Sequence, residues 1–302
     1  METLVIALGG NALLQRGAVL SAENQYKSIA LIADAIGELA KKYRIAIVHG
    51  NGPQVGLLAL QNLNYRDVPP YPLDILVAET QGMIGYMLAQ KLSASHPQQA
   101  VSTLMTRILV DGDDHAFQQP TKFIGPVYAP KEESHLRQQY GWTMKMDGEH
   151  LRRVVPSPEP KQILDIEAVH ALLAKNQVVI CSGGGGIPMV ATEQGLQGVE
   201  AVIDKDLAAA LLAEALDADH LVILTDADAV YTGWGTPSQQ AIRSATPQQL
   251  APLAVPDGSM GPKIMAVSRF VERSGKEAHI GALKDIDAVL NGSAGTLIHP
   301  AR

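Results

Sequence analysis

Three short apolar runs each stop at a cluster of glycines: TLVIALGGNA at residues 3–12, RIAIVHGNGPQVG at 44–56 and QVVICSGGGGIP at 177–188. The runs are rich in Val and Ile and continuous in hydrophobicity rather than alternating. That is how a strand buried on both faces of a parallel sheet reads. A sheet covered on both faces requires helices on either side, so the pattern restricts the chain to an α/β fold. The glycines then fall at strand ends, where backbone amides can approach an anion closely and where α/β folds hold phosphates. Taken singly, each loop reads equally well as a tight strand-to-helix turn; three on one plan point to an anion site. Neither GxxxxGK[ST] nor GxGxxG is present, so a bound nucleotide would be held in another way.

Helical patterns separate the strands. Ile29, Ile32, Ala33, Ile36, Leu39 and Ala40 form one apolar stripe within Asn24–Lys42. Pro53 opens a helix through GLLALQNL, and Leu73–Leu92 reads as a further helix with Gly82 and Gly85 as candidate breaks. Val101–Val110 reads as one strand. Between Gly112 and Pro160 periodicity is lost while charge, Gln, Pro and Gly rise, marking an insertion or small protruding subdomain of the kind that forms lids. The second half continues with a helix in DLAAALLAEAL, a strand LVILT, a loop DADAVYTGWGTP, a helix GPKIMAVSRFVERSG, a strand AHIGAL and a last strand TLIH. The alternation predicts a mostly parallel sheet with helices on both faces.

At 302 residues the chain can bury a substantial core, as one large domain or two lobes. Its net charge of −7, with Lys and Arg dispersed, argues against nucleic acid as a partner, so an anionic substrate must be gathered by a few local cations. The single cysteine, Cys181, permits no intramolecular disulfide, reads as a packing residue and fits a reducing compartment. With no signal-like stretch and no run of about 20 apolar residues, a soluble cytoplasmic protein is expected.

Three lysines occupy unusual settings: Lys122 in PTKFIGP, Lys205 in AVIDKDLAAA and Lys263 in GSMGPKIMA. Each alone reads first as a solvated surface residue. Lys205, however, sits between Asp204 and Asp206 at the start of an apolar helix, where a carboxylate can both cap amides and orient an ammonium. Lys263 follows two glycines and a proline at another helix start, the position whose free amides bind phosphate. Phosphoryl transfer needs such equipment, because its catalysis is mainly positioning and electrostatic stabilisation. No Ser-His-Asp, Cys-His or HExxH arrangement supports a hydrolase; His49, alone at a strand end, reads as structural.

ALGGNAL, VHGNGPQVG, QGMIGYMLAQ, PTKFIGPVY, RRVVPSP, SGGGGIP, EAVIDKDLAAALLA, ILTDADAVY and GSMGPK together resemble the carbamate kinases of the amino-acid kinase superfamily, over nearly the whole chain. The resemblance implies a three-layer αβα sandwich with a mainly parallel sheet of about eight strands, a subdomain over the active site (residues 112–160) and a homodimer. It implies a carbamate-binding part over residues 1–200 and a nucleotide-binding part over 201–302. Carried over, the pattern gives Gly9, Gly10, Asn11, Gly50, Asn51 and Gly52 to carbamate and the transferred phosphoryl group. Lys122, Lys205 and Lys263 would act on the phosphates, with Asp206 holding the lysines. ATP or ADP would lie near Asp204, Thr225, Asp226, Tyr231, Met260, Gly261 and Lys263. Mg²⁺ would arrive with ATP, with no protein metal site implied. SGGGG is left with a packing role.

The implied reaction is reversible transfer between ATP and carbamate, yielding ADP and carbamoyl phosphate, and running toward ATP in arginine or purine catabolism. Two departures fall in the subdomain: Lys145–Arg153 reads KMDGEHLRR, without a Gly-Arg-Gly segment, and Phe123 stands where proline is usual. They imply an altered lid. The competing readings are another phosphotransferase of the superfamily and a non-catalytic sensor of nucleotide or carbamoyl phosphate; three lysines suited to transition-state charge argue against the latter.

Overall fold

A computed structural model describes residues 1–15, 17–65, 67–255 and 259–301. Its centre is an eight-stranded sheet. From one edge the order is Ser244–Ala245, Thr296–Ile298, Glu277–Ala282, His220–Thr225, Glu2–Leu8, Tyr43–His49, Val178–Ile180 and Val101–Thr103. All neighbours are parallel except Glu277–Ala282 with Thr296–Ile298. The continuous apolar runs have the predicted cause. Val5, Ala7, Ala46, Val48 and Val179 face one core with the helices Ile166–Leu173, Lys205–Ala215 and Gly261–Ser274. Leu4, Ile6, Leu8, Ile45 and Ile47 face a second with the helices Ala22–Leu39 and Leu73–Ser95. Both faces are dry, which makes three layers.

Glu2–Leu8 pairs with Tyr43–His49 on one side and with His220–Thr225 on the other. The chain therefore winds outward in both directions from its first strand. Such a switch point opens a crevice at the carboxyl ends of the strands, where ligands of α/β sheets bind. The GGN and GNG loops flank that crevice.

Val101–Val110 is not one strand. Val101–Thr103 closes the edge of the central sheet, whereas Arg107–Val110 belongs to a second, four-stranded sheet with Ile187–Thr192, Gly195–Gly198 and Pro160–Ile163. The break is held by side chains. Gln81 accepts from the Thr106 amide (2.8 Å) and donates to the Thr106 carbonyl (3.2 Å), so the backbone leaves its ladder without orphaned groups. The helix Leu73–Ser95 runs unbroken through Gly82 and Gly85. At Gly85 a Cβ would stand 2.2 Å from Thr103, so this glycine serves close approach of helix and edge strand rather than a kink.

Within residues 112–160, the strands Lys122–Tyr128, Thr143–Asp147 and His150–Val155 form an antiparallel sheet with the helix Glu133–Tyr140. A small core of Leu136, Met144 and Leu151 fills it. Gly148, at φ 63°, turns the chain between the last two strands. The Arg152 guanidinium lies over the Phe123 ring at 5.5 Å, bonds Asp147 at 2.8 Å and reaches the Gly125 carbonyl at 3.1 Å. Both departures noted in the sequence thus join one anchor, with the aromatic ring supplying a cation-π face that proline lacks.

Burial pushes His49 down from 6.5 to about 4, and burial beside His220 does the same to His279. The unfolded chain takes up these protons below about pH 6.5 while the folded chain resists to about 4. Stability should therefore fall as pH drops through that window and gain nothing from these groups above it. Each histidine contributes on the order of 3 kcal/mol once the lower value is passed. Urea denaturation between pH 7 and 4 should show the slope, and His279→Leu should remove its share.

Candidate active site

The site begins at the helix Lys205–Ala215. Asp204 caps it, with one carboxylate oxygen accepting from the Asp206 amide (2.9 Å) and the Leu207 amide (3.4 Å). Its other oxygen accepts from Lys122 Nζ at 2.6 Å, reaching a residue 82 positions away on the small sheet. Asp206, only 2 % exposed, bridges two lysines: one oxygen accepts from Lys205 and the other from Lys263 Nζ at 3.0 Å. Lys205 and Lys263 are themselves buried. Among the described residues, three ammonium groups thus form ion pairs with two carboxylates, an excess of one positive charge at a helix N-terminus.

Protonation follows from burial set against partners. Burial alone would raise both aspartates, but Lys122 and Lys205 hold Asp204 well below the usual range, and Lys205 and Lys263 do the same for Asp206. Burial prevails at Lys205, whose pKa is lowered despite Asp206; at Lys263 the pull of Asp206 outweighs burial and raises it. Asp226, exposed at the end of the strand His220–Thr225, adds to that rise at Lys263.

The glycine loops meet this cluster at its open side. The Gly50 amide donates to the Leu8 carbonyl (3.3 Å), and the Gly9 amide donates to the Leu224 carbonyl (3.0 Å), so GGN, GNG and the Thr225 strand end lie side by side. A Cβ on Gly50 would touch Lys205 Cδ at 3.4 Å, and one on Gly9 would strike the Leu224 carbonyl at 2.7 Å. Gly52 opens the helix Gly52–Asn62 against the Phe123 carbonyl, one residue from Lys122. Gly10 is exposed at the start of Gly10–Leu13. The side chain of Asn11 lies outside the described part of the structure.

Asn51 is placed differently. Its buried amide donates to Thr80 Oγ1 at 2.9 Å and lies under Gly184, whose Cβ would stand 2.2 Å from it. Tyr231 sits on a two-stranded ribbon, donating to Asp228 at 2.6 Å with its ring against Trp234. Met260 precedes the helix Gly261–Ser274 and packs on the core, while Gly261 admits the Val255 carbonyl. No hydrogen bond among the described residues draws Tyr231 or Met260 into the lysine cluster. Part of the preceding loop, 256–258, lies outside the described residues.

A buried polar frame, not predicted from the sequence, backs the site. Gln81 donates to the Gly183 carbonyl at 2.9 Å, the Ser182 amide donates to Thr106 Oγ1 at 3.0 Å, and Gln54 donates to Gln25 at 2.9 Å. The signal was a Thr80-Gln81 pair at the helical spacing of Val77, Ile84 and Leu88, on the buried face of its helix. His49 donates Nδ1–H to the Gly50 carbonyl (2.9 Å) and, buried, braces that loop; burial also pushes Cys181 up to about 12.

Residues 2–282 match the amino acid kinase family. A match over that span makes the chain a phosphotransferase of the amino acid kinase class. The chain is 65% identical over 298 residues to carbamate kinase of Escherichia coli K12, covering 99% of both chains. It is 52% identical to carbamate kinase of Rhizobium meliloti, covering 98% of this chain and 92% of the relative. Carbamate kinase from Giardia lamblia bound to AMP-PNP superposes with a TM-score of 0.90 at 36% identity, with 99% of each chain covered. The chain belongs to the carbamate kinases within the amino acid kinase family.

Asp206→Asn would leave two buried ammonium groups facing a neutral amide. Breaking such a pair costs about 3–5 kcal/mol, and equilibrium denaturation should show a loss of that order. Asp204→Ala, which removes a cap and an outer ion pair, should cost about 1–2 kcal/mol.

Proposed function

We propose that the Lys205–Asp206–Lys263 triad, completed by Lys122, carries reversible phosphoryl transfer between ATP and carbamate. The observation that supports this most directly is the shared carboxylate of Asp206, which holds two ammonium groups beside the glycine loops. Carbamate is an anion, so its oxygen needs no general base; the obstacle is repulsion between two anions. Lysines fixed before substrate arrives meet the charge of the transferred group without reorganising. In this reading Gly10, Asn11 and Gly52 present amides to carbamate and the moving phosphoryl group, Gly9 and Gly50, whose own amides are bonded to the Leu224 and Leu8 carbonyls, let the anion approach the backbone closely, and Asn51 positions its loop. Residues 1–200 bind carbamate and 201–302 the nucleotide, which lies toward Thr225, Asp226, Tyr231, Met260 and Gly261.

Among the described residues no three His, Cys, Asp or Glu side chains gather into a metal cage. Mg²⁺ fits as a companion of ATP held by phosphate oxygens and water, where it would neutralise phosphate charge. We take the direction in the cell as ATP synthesis from carbamoyl phosphate in the catabolism of arginine or purines, by a cytoplasmic homodimer. No described helix is long and apolar enough to cross a membrane. Ultracentrifugation and cell fractionation test the last two points.

ATP formation from ADP and carbamoyl phosphate should require Mg²⁺. Lys205→Ala and Lys263→Ala should each lower kcat by about a hundredfold or more. Lys122→Ala, whose residue reaches the cluster from the separate small sheet, should act more on the KM of carbamoyl phosphate. An active enzyme indifferent to both Lys205→Ala and Lys263→Ala would overturn these roles.

A further inference from the structure

We propose that the cavity between the small antiparallel sheet and the main body binds an α-amino acid with an apolar side chain. The cavity encloses about 350 Å³, at the lower end of the roughly 300–1,000 Å³ typical of small-molecule sites. Leu63, Leu76 and Tyr71 line it from the body, and Trp142 and Arg153 from the small sheet, with Glu200 at its exposed rim. None of the glycines or lysines of the active site lines it.

Arg153 carries the inference. Its guanidinium lies on the Trp142 ring at 4.6 Å, and that ring is in turn against Tyr140 at 4.8 Å. The ring holds the guanidinium from one side through a cation-π contact. Among the described residues the guanidinium makes no hydrogen bond and no ion pair, whereas its neighbour Arg152 is bonded to Asp147 and Gly125. A half-buried, pre-oriented fork without an acceptor suits a carboxylate, which it can grip bidentately.

Glu200 supplies the second pole. One of its oxygens accepts from the Leu73 amide at 3.1 Å, and the group stands close enough to Arg153 to act on its charge but forms no ion pair with it. The cavity thus presents a cation within and an anion at the rim, separated by apolar wall. An ammonium and a carboxylate on one carbon, with an apolar side chain directed toward Leu63 and Leu76, complement all three features. A simple anion would leave Glu200 repelling it, and a simple amine would leave Arg153 unmet.

The occupant would bridge two parts of the fold. Val155 lines the cavity and pairs in register with Lys122, so a ligand there would hold the small sheet onto the body and steady Lys122 over the crevice. This consequence rests on the proposed role of Lys122; the binding itself does not.

Calorimetry and thermal shift on the full chain should use L-leucine, L-methionine and L-phenylalanine, alongside 4-methylpentanoate and isoamylamine, which lack the amine and the carboxylate of leucine. At least one amino acid should bind at millimolar concentration or below, with both truncated analogues weaker by roughly tenfold. Arg153→Met should weaken the amino acid by roughly tenfold or more while the unliganded protein stays folded. Absence of binding by all three amino acids, equal binding of the carboxylate-only analogue, or full binding by a folded Arg153→Met would each overturn the proposal. If Arg153→Met does not fold, the analogue series on the unaltered chain decides it.

Discussion

The shared carboxylate of Asp206 is the interaction on which the site depends. Two ammonium groups within a few ångströms repel one another, and each loses hydration on burial; neither would remain charged there without a partner. One carboxylate with two oxygens satisfies both, at 3 % side-chain exposure. It cannot neutralise both. The excess positive charge is held in place by the protein beside the GNG loop. The same charge opposes the helix that begins at Lys205, because a cation at a helix N-terminus lies against its dipole. Asp204 as cap and Asp206 in the first turn offset this, so the Asp-Lys-Asp order is an electrostatic solution to placing a lysine where helices disfavour one.

The fold delivers the remaining charge acceptors by a single geometric device. Parallel strands end at one edge of a sheet, and the helices that follow begin there. With its first strand at the switch point, the loops after Leu8, His49 and Thr225 become neighbours without long connections. The helices starting at Gly52, Lys205 and Gly261 follow strands or loops at that same edge, the Lys205 helix with its first-turn amides already taken by Asp204. Lys122 arrives by a different route, on the separate antiparallel sheet, and its ion pair to Asp204 spans the two parts. Sheet and cap are thereby mechanically linked: what moves the small sheet changes the environment of the residue that caps the Lys205 helix.

What the sequence made legible follows from the range of the interactions concerned. Strands buried on both faces and the apolar stripe of Ala22–Leu39 are local patterns, and they read correctly. The Asp-Lys-Asp segment was legible because its charges interrupt an apolar helix. The pairing of Lys122 with Asp204 was not, since it joins positions 82 apart across two sheets. The break at Thr106 was hidden for a related reason. Val101–Val110 is strand-like in composition, and the partners that make leaving the ladder tolerable, Gln81 and the Ile187 amide, come from segments 25 residues earlier and 81 later. Asn51 looked like a ligand group by its place in GNG, yet its amide is committed to Thr80.

The third glycine loop shows why this last point matters. Ser182, Gly184, Gly185 and Gly186 all have positive φ, and a Cβ at the three glycines would strike Asn51, the Ile203 carbonyl and Ile108 respectively. The loop is therefore wedged between the GNG loop and the segment that leads into Asp204 and Lys205. Its backbone is held from behind by Gln81 and Thr106. A chain with side chains here would push those two segments apart, and with them Gly50 and Lys205, which lie so close that a Cβ on Gly50 would touch Lys205 Cδ at 3.4 Å. Four consecutive glycines thus act through thinness rather than through their amides. The loop that most resembles a phosphate cradle in sequence is the spacer that brings the other two loops within reach of the lysines.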